Sequence, residues 1–497
     1  MTTISHSRQI KKPLFLYCLI VLFPLLATVI LPRFLLDSNL LEFHAGWSDE
    51  IVYRQEILTF KETGFQGGYF SVDEQPAKYT GSRFGTHGPA FALLIGGLTR
   101  LTGWKEYLFP FINMAFISLS LIGFLYLVRP DRTQTVFILL LVALYYPMLL
   151  YIPSLMQESF HHALAIVFAG LLIKVSKLPI ISFGLKIVIL LILLIAALVR
   201  VTWSVLAFPF LFFLITGKKR IILALFLGLG FFVLMILYYF SFTSPYTQGS
   251  LQSMLEAPNL IAKLNIILIN FSDNLAKFFQ WDSMGLELSN LFHYQYLFIL
   301  LGNCLLPTKD RAFTISGGFI LLVSLLMTFG LYKVGYFVDY RVLSPLLLFG
   351  LLSLVLNVKM NKLSTFFLVL FLLFTVAFLP KFIQNYRSFH VDHFWKNNDP
   401  IAQNIGKSLG TIQFMKNASP WCNSILTNHG SYDEMRYLMP GIGINTLLQL
   451  NEPNYGVKSH YLFVPKTFLE KVGLTESCTT IYQSESDVFC ERTNDDC

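Results

Sequence analysis

Apolar runs of span-like length recur from Leu14 to about residue 379, with only short polar breaks between them. By window reading they cover 14–31, 107–128, 135–152, 159–173, 180–199, 202–217, 221–240, 290–306, 312–331, 342–357 and 363–379, about eleven in all. Such a pattern excludes a water-soluble globule and predicts an all-α polytopic membrane protein. Composition agrees, with 55% hydrophobic residues against 13% charged and a mean hydropathy of +0.60. The formal charge of +8 is no nucleic-acid signature, because the basic residues fall in groups of two or three between apolar runs.

Charge also orients the chain. The first run, Leu14 to Leu31, is 18 residues without a charge, follows Arg8, Lys11 and Lys12, and carries no small-residue cleavage pattern, so it reads as an uncleaved anchor with its N-terminus in the cytoplasm. Segment 88–101 is about 14 residues, short of a crossing, and reads as a helix lying along the membrane surface. With that choice the inside loops carry Arg129/Arg132, Lys174/Lys177, Lys218/Lys219/Arg220, Lys309/Arg311 and Lys359/Lys362. Every short inside loop is then basic. The outside face receives the first loop, 38–104, with a second amphipathic helix from Ile51 to Glu62 that Ser48 starts and Gly64 ends, the polar loop 241–289 and the tail.

The tail, 380–497, reads as a small extracytoplasmic domain of mixed α/β structure following a transmembrane domain, 1–379. Its four cysteines, Cys422, Cys478, Cys490 and Cys497, suggest one or two disulfides of open connectivity in an oxidising compartment. Cys18 and Cys304 lie in apolar runs and read as small buried hydrophobes.

The polar residues that stand out all collect on the outside face: Asp49 and Glu50; Arg83 and His87; Glu158, His161 and His162; Arg200; and Lys333, Asp339, Tyr340 and Arg341. Ionisable groups at a membrane boundary are costly unless paired or lining a wet cavity. Each has a second reading at this level. Asp49 and Glu50 also suit the positive end of a helix, the histidines suit the headgroup region, and Arg200 and Arg341 suit snorkelling anchors for lipid phosphates.

Taken in order, these features resemble the glycosyltransferase C superfamily (GT-C), and within it the branch of protein O-mannosyltransferases and lipid A aminoarabinose transferases. The family's acidic site after the first span matches Gly46-Trp-Ser-Asp49-Glu50, and its His-Pro-Pro-like segment heading a surface helix matches His87-Gly-Pro89 to Leu101-Thr-Gly103. Further matches are a span ending in arginine at Leu127-Val-Arg129, an acidic residue before the next helix at Glu158, the turn Leu198-Val-Arg-Val-Thr202, and the start of a late span at Tyr340-Arg-Val-Leu-Ser-Pro345. The resemblance covers roughly residues 13–380. Two positions depart from it, Gly88 within the His-Pro-Pro-like segment and Glu158 where Asp is common.

The resemblance implies an inverting transferase that moves a sugar from a polyprenyl-phosphate-linked donor to an acceptor hydroxyl on a glycan, lipid or protein, at the outer face of the plasma (inner) membrane. Such chemistry needs a base for the acceptor and positive charge for the departing phosphate. Asp49 is the first choice for the base and Glu50 the second. Arg341, with Tyr340 and Arg200, is the choice for the donor phosphate, because a guanidinium meets phosphate oxygens in pairs. Arg83, His87 and Lys333 stand near the site, and Glu158, His161 and His162 are the candidates for holding a divalent metal ion. Two other classes fit a polytopic chain: a polysaccharide polymerase or ligase, which commonly relies on large late loops, and a non-catalytic flippase or transporter for lipid-linked sugars, whose charges would lie inside the spans. The spans here hold almost no acidic residue.

Overall fold

The computed structural model describes residues 14–67, 84, 88–242, 257–279, 288–331, 341, 343–394, 407–428, 437–447, 457–493 and 497. Every apolar run expected to span is helical. The helices that position the site are α1 (Leu14–Leu36), α2 (Ser48–Thr63), α3 (Ala90–Thr102), α4 (Leu108–Val128), α5 (Arg132–Leu144), α6 (Tyr146–Tyr151), α7 (Glu158–Lys177), α8 (Phe183–Val199), α9 (Ala207–Leu214) and α10 (Arg220–Phe242). They are followed by α11 (Leu260–Phe279), α12 (Leu288–Leu305), α13 (Arg311–Leu331), α14 (Ser344–Asn357), α15 (Lys362–Ala377) and α16 (Leu379–His390).

Among the described residues five helices are long and apolar enough to cross a membrane, or six if α15 and α16, bent by 49° at their junction, form one broken span. The expected eleven is therefore not reached by length and composition alone. Two of the expected runs break where proline interrupts the helix. Run 135–152 splits into α5 and α6 just before Pro147, and run 202–217 opens as the 3₁₀ turn Val201–Leu206 ahead of the short, Pro209-containing α9. Helices α7 and α14 form the middle of the bundle; every residue of Ser344–Asn357 is buried. On α1 and α10 large apolar side chains such as Phe15, Leu26, Phe226 and Leu229 face outward, as lipid-facing surfaces do.

Two expectations are corrected. Loop 241–289 contains the 20-residue helix α11, whose Asn270 and Asn274 donate to the last carbonyls of α13, Gly330 at 3.1 Å and Phe329 at 2.9 Å. Its Lys263, Asp273 and Lys277 lower a window average, which hid it from a hydropathy reading. Cys18 and Cys304 are exposed rather than buried, because both lie on outward faces of apolar helices. Helix α16 packs back on the bundle with Phe382, Tyr386 and His390 buried.

Both short segments of the first loop are helical. Helix α2 ends at Gly64 with φ +62°, and α3 packs across it at Gly96, where a β-carbon would lie 3.0 Å from the Phe60 ring and 3.1 Å from the Ile57 carbonyl. The two ends of the bundle differ in kind. At one end Tyr17 donates to the Pro130 carbonyl, Gln134 to those of Val355 and Leu356, and the Lys309 amide to Asn357, so the basic loops assigned to one side of the membrane do meet. The acidic and histidine residues meet at the other end.

There too lies a five-stranded sheet of β1 (Ser424–Asn428), β2 (Gly443–Leu447), β3 (Tyr461–Pro465), β4 (Cys478–Gln483) and β5 (Asp487–Arg492), in the order β2-β1-β3-β5-β4. Strand β1 runs parallel to β2 and β3, whereas β5 is antiparallel to β3 and β4. Disulfides join Cys422 to Cys497 and Cys478 to Cys490, so all four tail cysteines are paired. The sheet docks on α2: Gln55 donates to the Met439 and Ile442 carbonyls at 2.9 and 3.0 Å, and Thr59 accepts from the Gly441 amide at 3.0 Å.

Candidate active site

Asp49 and Glu50 are neighbours in sequence at the first turn of α2, yet they end in opposite environments. Glu50 is wholly buried. Its Oε2 accepts from the Gly46 and Trp47 amides at 3.0 and 3.1 Å and from His393 Nε2 at 2.5 Å, while Oε1 accepts from the Leu155 amide at 2.7 Å. Burial pushes its carboxyl up, but the facing His393 ring and the Gly46 and Leu155 amides outweigh that and leave it below its ordinary value. Local chain geometry makes this possible. Residues 43–46 run against 390–393, with the His44 amide donating to the His393 carbonyl at 3.1 Å. At Gly46 a β-carbon would stand only 2.7 Å from the Asp392 carbonyl carbon. The turn that supplies Leu155 is held by Asn113, which donates to the Ile152 and Ser154 carbonyls at 3.0 and 2.7 Å.

Asp49 faces the other way. Its Oδ2 accepts from Arg341 Nη1 at 2.7 Å, with the aspartate side chain 43% exposed and the arginine 21%. The guanidinium also lies 4.5 Å over the Trp47 ring, which fixes its plane.

The second carboxylate–arginine pair is enclosed. Glu158, at the start of α7, accepts from Arg200 Nη2 at 3.0 Å, and the two side chains are 3% and 9% exposed. Glu158 Oε2 and Arg200 Nε and Nη1 are buried with no hydrogen-bond partner among the described residues. The residues considered for a metal are committed elsewhere. His161 Nδ1 accepts from Trp203 Nε1 at 3.0 Å, and His162 Nε2 meets Ser344 Oγ at 3.0 Å. Successive positions on one helix point these rings apart. Among the described residues no three His, Cys, Asp or Glu side chains come together as a ligand set, so Glu158, His161 and His162 do not form the expected cluster.

The two pairs nonetheless act on one residue electrostatically. The Tyr53 phenol, one turn along α2 from Asp49, is driven well above its ordinary value by burial and then by the charges of Asp49 and Glu158, with Arg341 and Arg200 pulling the other way. Four charged side chains singled out in the sequence thus lie within electrostatic reach of Tyr53. Arg83, His87, Lys333, Asp339 and Tyr340 lie outside the described residues.

Sequence reasoning missed five participants. His390-Val-Asp-His393 follows the last apolar helix; His390 Nε2 meets the Leu150 carbonyl at 2.8 Å, and His393 holds Glu50. The spacing of the two histidines was visible, but nothing marked a partner 343 positions upstream. Arg54 contacts Glu106, whose Oε2 accepts from the Ala45 amide at 3.0 Å, bracing the loop that enters α2. Tyr53 carried no signal beyond its helical register.

No protein-family model and no curated protein sequence matches the chain. Solved structures do. ArnT from Cupriavidus metallidurans bound to undecaprenyl phosphate aligns over 95% of this chain and 97% of its own, with a TM-score of 0.51 at 11% identity. The Archaeoglobus fulgidus oligosaccharyltransferase tethered with an acceptor peptide aligns over 97% of this chain and 74% of its own, with a TM-score of 0.51 at 10% identity. ArnT is a lipid A aminoarabinose transferase, and both proteins are GT-C members. This chain has the GT-C fold. A third solved structure, archaeal AglB from Archaeoglobus fulgidus in complex with an inhibitory peptide and a dolichol-phosphate, aligns over 93% of this chain and 70% of its own, with a TM-score of 0.50 at 12% identity. In the GT-C fold of this protein Asp49 and Arg341 stand at the end of the bundle opposite the basic loops.

Proposed function

We propose that the protein is an inverting membrane glycosyltransferase that moves a sugar from a polyprenyl-phosphate-linked donor to an acceptor hydroxyl on a glycan, lipid or protein. One observation carries this reading: of the three candidate carboxylates only Asp49 is open, at 43% exposure, and it lies 2.7 Å from an arginine that can serve the donor phosphate. Glu50 and Glu158 are closed off by their partners. ArnT and AglB, the neighbours solved with undecaprenyl phosphate and a dolichol-phosphate, support the donor class.

In the resting state Arg341 holds Asp49. An exposed pair of this kind is worth about 1 kcal/mol or less, so an incoming donor phosphate competes for the guanidinium at little cost. Asp49 is then free to take the proton of the acceptor hydroxyl. The acceptor oxygen forms a bond to the anomeric carbon from the face opposite the phosphate, the carbon–oxygen bond to phosphate breaks, and the electron pair leaves on a phosphate that Arg341 neutralises. Displacement of this kind inverts the anomeric centre. Glu158, His161 and His162 carry no step.

The site faces the outside of the plasma (inner) membrane, with the N-terminus cytoplasmic and the sheet unit extracytoplasmic. Labelling from outside of a cysteine placed at Lys416, but not of one placed at Lys359, in a background lacking Cys18 and Cys304, is the expected result, and the reverse overturns the orientation. The activity is tested with full-length protein in lipid nanodiscs, given undecaprenyl phosphate-linked hexoses or aminoarabinose, by following release of undecaprenyl phosphate. Mass analysis of surface glycans and glycolipids from cells lacking the gene identifies the product, and an unchanged profile with no donor turnover rejects the proposal.

A further inference from the structure

The first turn of α2 is fixed by a residue that comes from the far end of the chain. Glu50 joins three segments: the loop 46–47, the turn at Leu155 and the His390–His393 stretch after α16. Both Glu50 and His393 are fully buried, and the His393 ring stacks on Phe43 at 5.5 Å. His393 Nδ1 has no hydrogen-bond partner among the described residues. His393 Nε2 supplies the N–H that Glu50 Oε2 accepts, so the ring is tied to the carboxylate through that nitrogen. Asp49 is the adjacent residue, and its direction toward Arg341 follows from how this turn is held.

We infer that His393 is a positioning residue that acts through Glu50 to hold the first turn of α2, and thereby Asp49, in reacting geometry. This rests on the reading of Asp49 as the base. Glu50 on this account supplies no proton transfer, because all of its described partners are donors and no face of it is open. His390 reinforces the same contact by binding the Leu150 carbonyl in α6, two residues before the Ile152–Ser154 carbonyls that Asn113 holds.

The test compares His393→Phe, which keeps a stacking ring and removes the donor, with His393→Gln, which returns an N–H near the Nε2 position. Full-length variants in nanodiscs are assayed for undecaprenyl phosphate release, and binding of undecaprenyl phosphate itself is measured separately. His393→Phe should lower kcat by roughly ten- to a hundredfold, as small misplacements of a reacting group do, with donor KM and undecaprenyl phosphate binding within about twofold. His393→Gln should recover most of the loss. Combined with Glu50→Gln, His393→Phe should add little, since both act on one turn. Wild-type kcat in His393→Phe, no rescue by Gln, or multiplicative losses in the double variant would overturn the inference. If Asp49→Asn is inactive while His393→Phe is fully active, this inference falls alone. Normal turnover by Asp49→Asn removes the base assignment and this inference with it.

Discussion

Two carboxylate–arginine pairs stand at this end of the bundle, alike in chemistry and separation and unlike in setting. Asp49–Arg341 spans 2.7 Å at a partly open surface, whereas Glu158–Arg200 spans 3.0 Å with both side chains nearly sealed. Burial decides what each can do. An open pair is weak and exchangeable, so a ligand of matching charge can take its place. A sealed pair is held by the cost of leaving either charge alone, and it serves as architecture linking the start of α7 to the turn after α8.

The sharpest break between the two is catalytic. Asp49→Asn keeps the size of the side chain and removes the base, and donor turnover should fall by about a hundredfold to ten-thousandfold. The thermal unfolding free energy should change by only about 1 kcal/mol. Turnover near that of the unaltered enzyme would move the base elsewhere. Arg200→Leu strands the Glu158 carboxylate in the bundle and should cost about 3–5 kcal/mol of stability, read by thermal unfolding in nanodiscs, with partial recovery when Glu158→Leu is added. Arg341→Leu should cost less than about 1 kcal/mol by the same measurement. Equal costs would erase the distinction.

Arg341→Lys sharpens the open side of the comparison. A point charge replaces a planar fork stacked on Trp47, and turnover should drop by roughly tenfold with folding intact. Lys and Arg variants of equal activity would leave Arg341 a membrane anchor. The smallest effect concerns pH. Because the Glu50 carboxyl is held below its ordinary value, its contribution is present at neutral pH and is lost as pH falls through that lowered value. Stability measured across the acid range should therefore decline by no more than one proton's linkage for this group, and Glu50→Gln should remove that share of the decline.

Much of this could be read from the residues. The apolar runs are helical, two of them broken at proline, the short segment 90–102 lies across α2, and basic loops meet at one end, because hydropathy and charge act over lengths that a window resolves. The centre of the bundle was hidden. Leu346 to Val355 in α14 is as apolar as the outward-facing α10, and hydropathy does not distinguish protein from lipid as a neighbour. Cys18 and Cys304 were misplaced for the same reason. The acidic pair was found, but the split in roles between Asp49 and Glu50 depends on His393 and Leu155, and contacts spanning 343 and 105 positions leave no local trace. Helix α11 was recoverable, since Leu260, Ile261, Leu264 and Leu268 repeat with helical period despite its charges.

The sheet unit grips the same helix that carries Asp49, through Gln55 and Thr59. Grafting the tail of a relative onto this membrane portion would therefore separate a pair of matched surfaces, with the Gln55 amide facing no carbonyl and Thr59 no amide. A chimera has to move that side of α2 as a unit with the strands, so the seam for such engineering runs lengthwise along one helix.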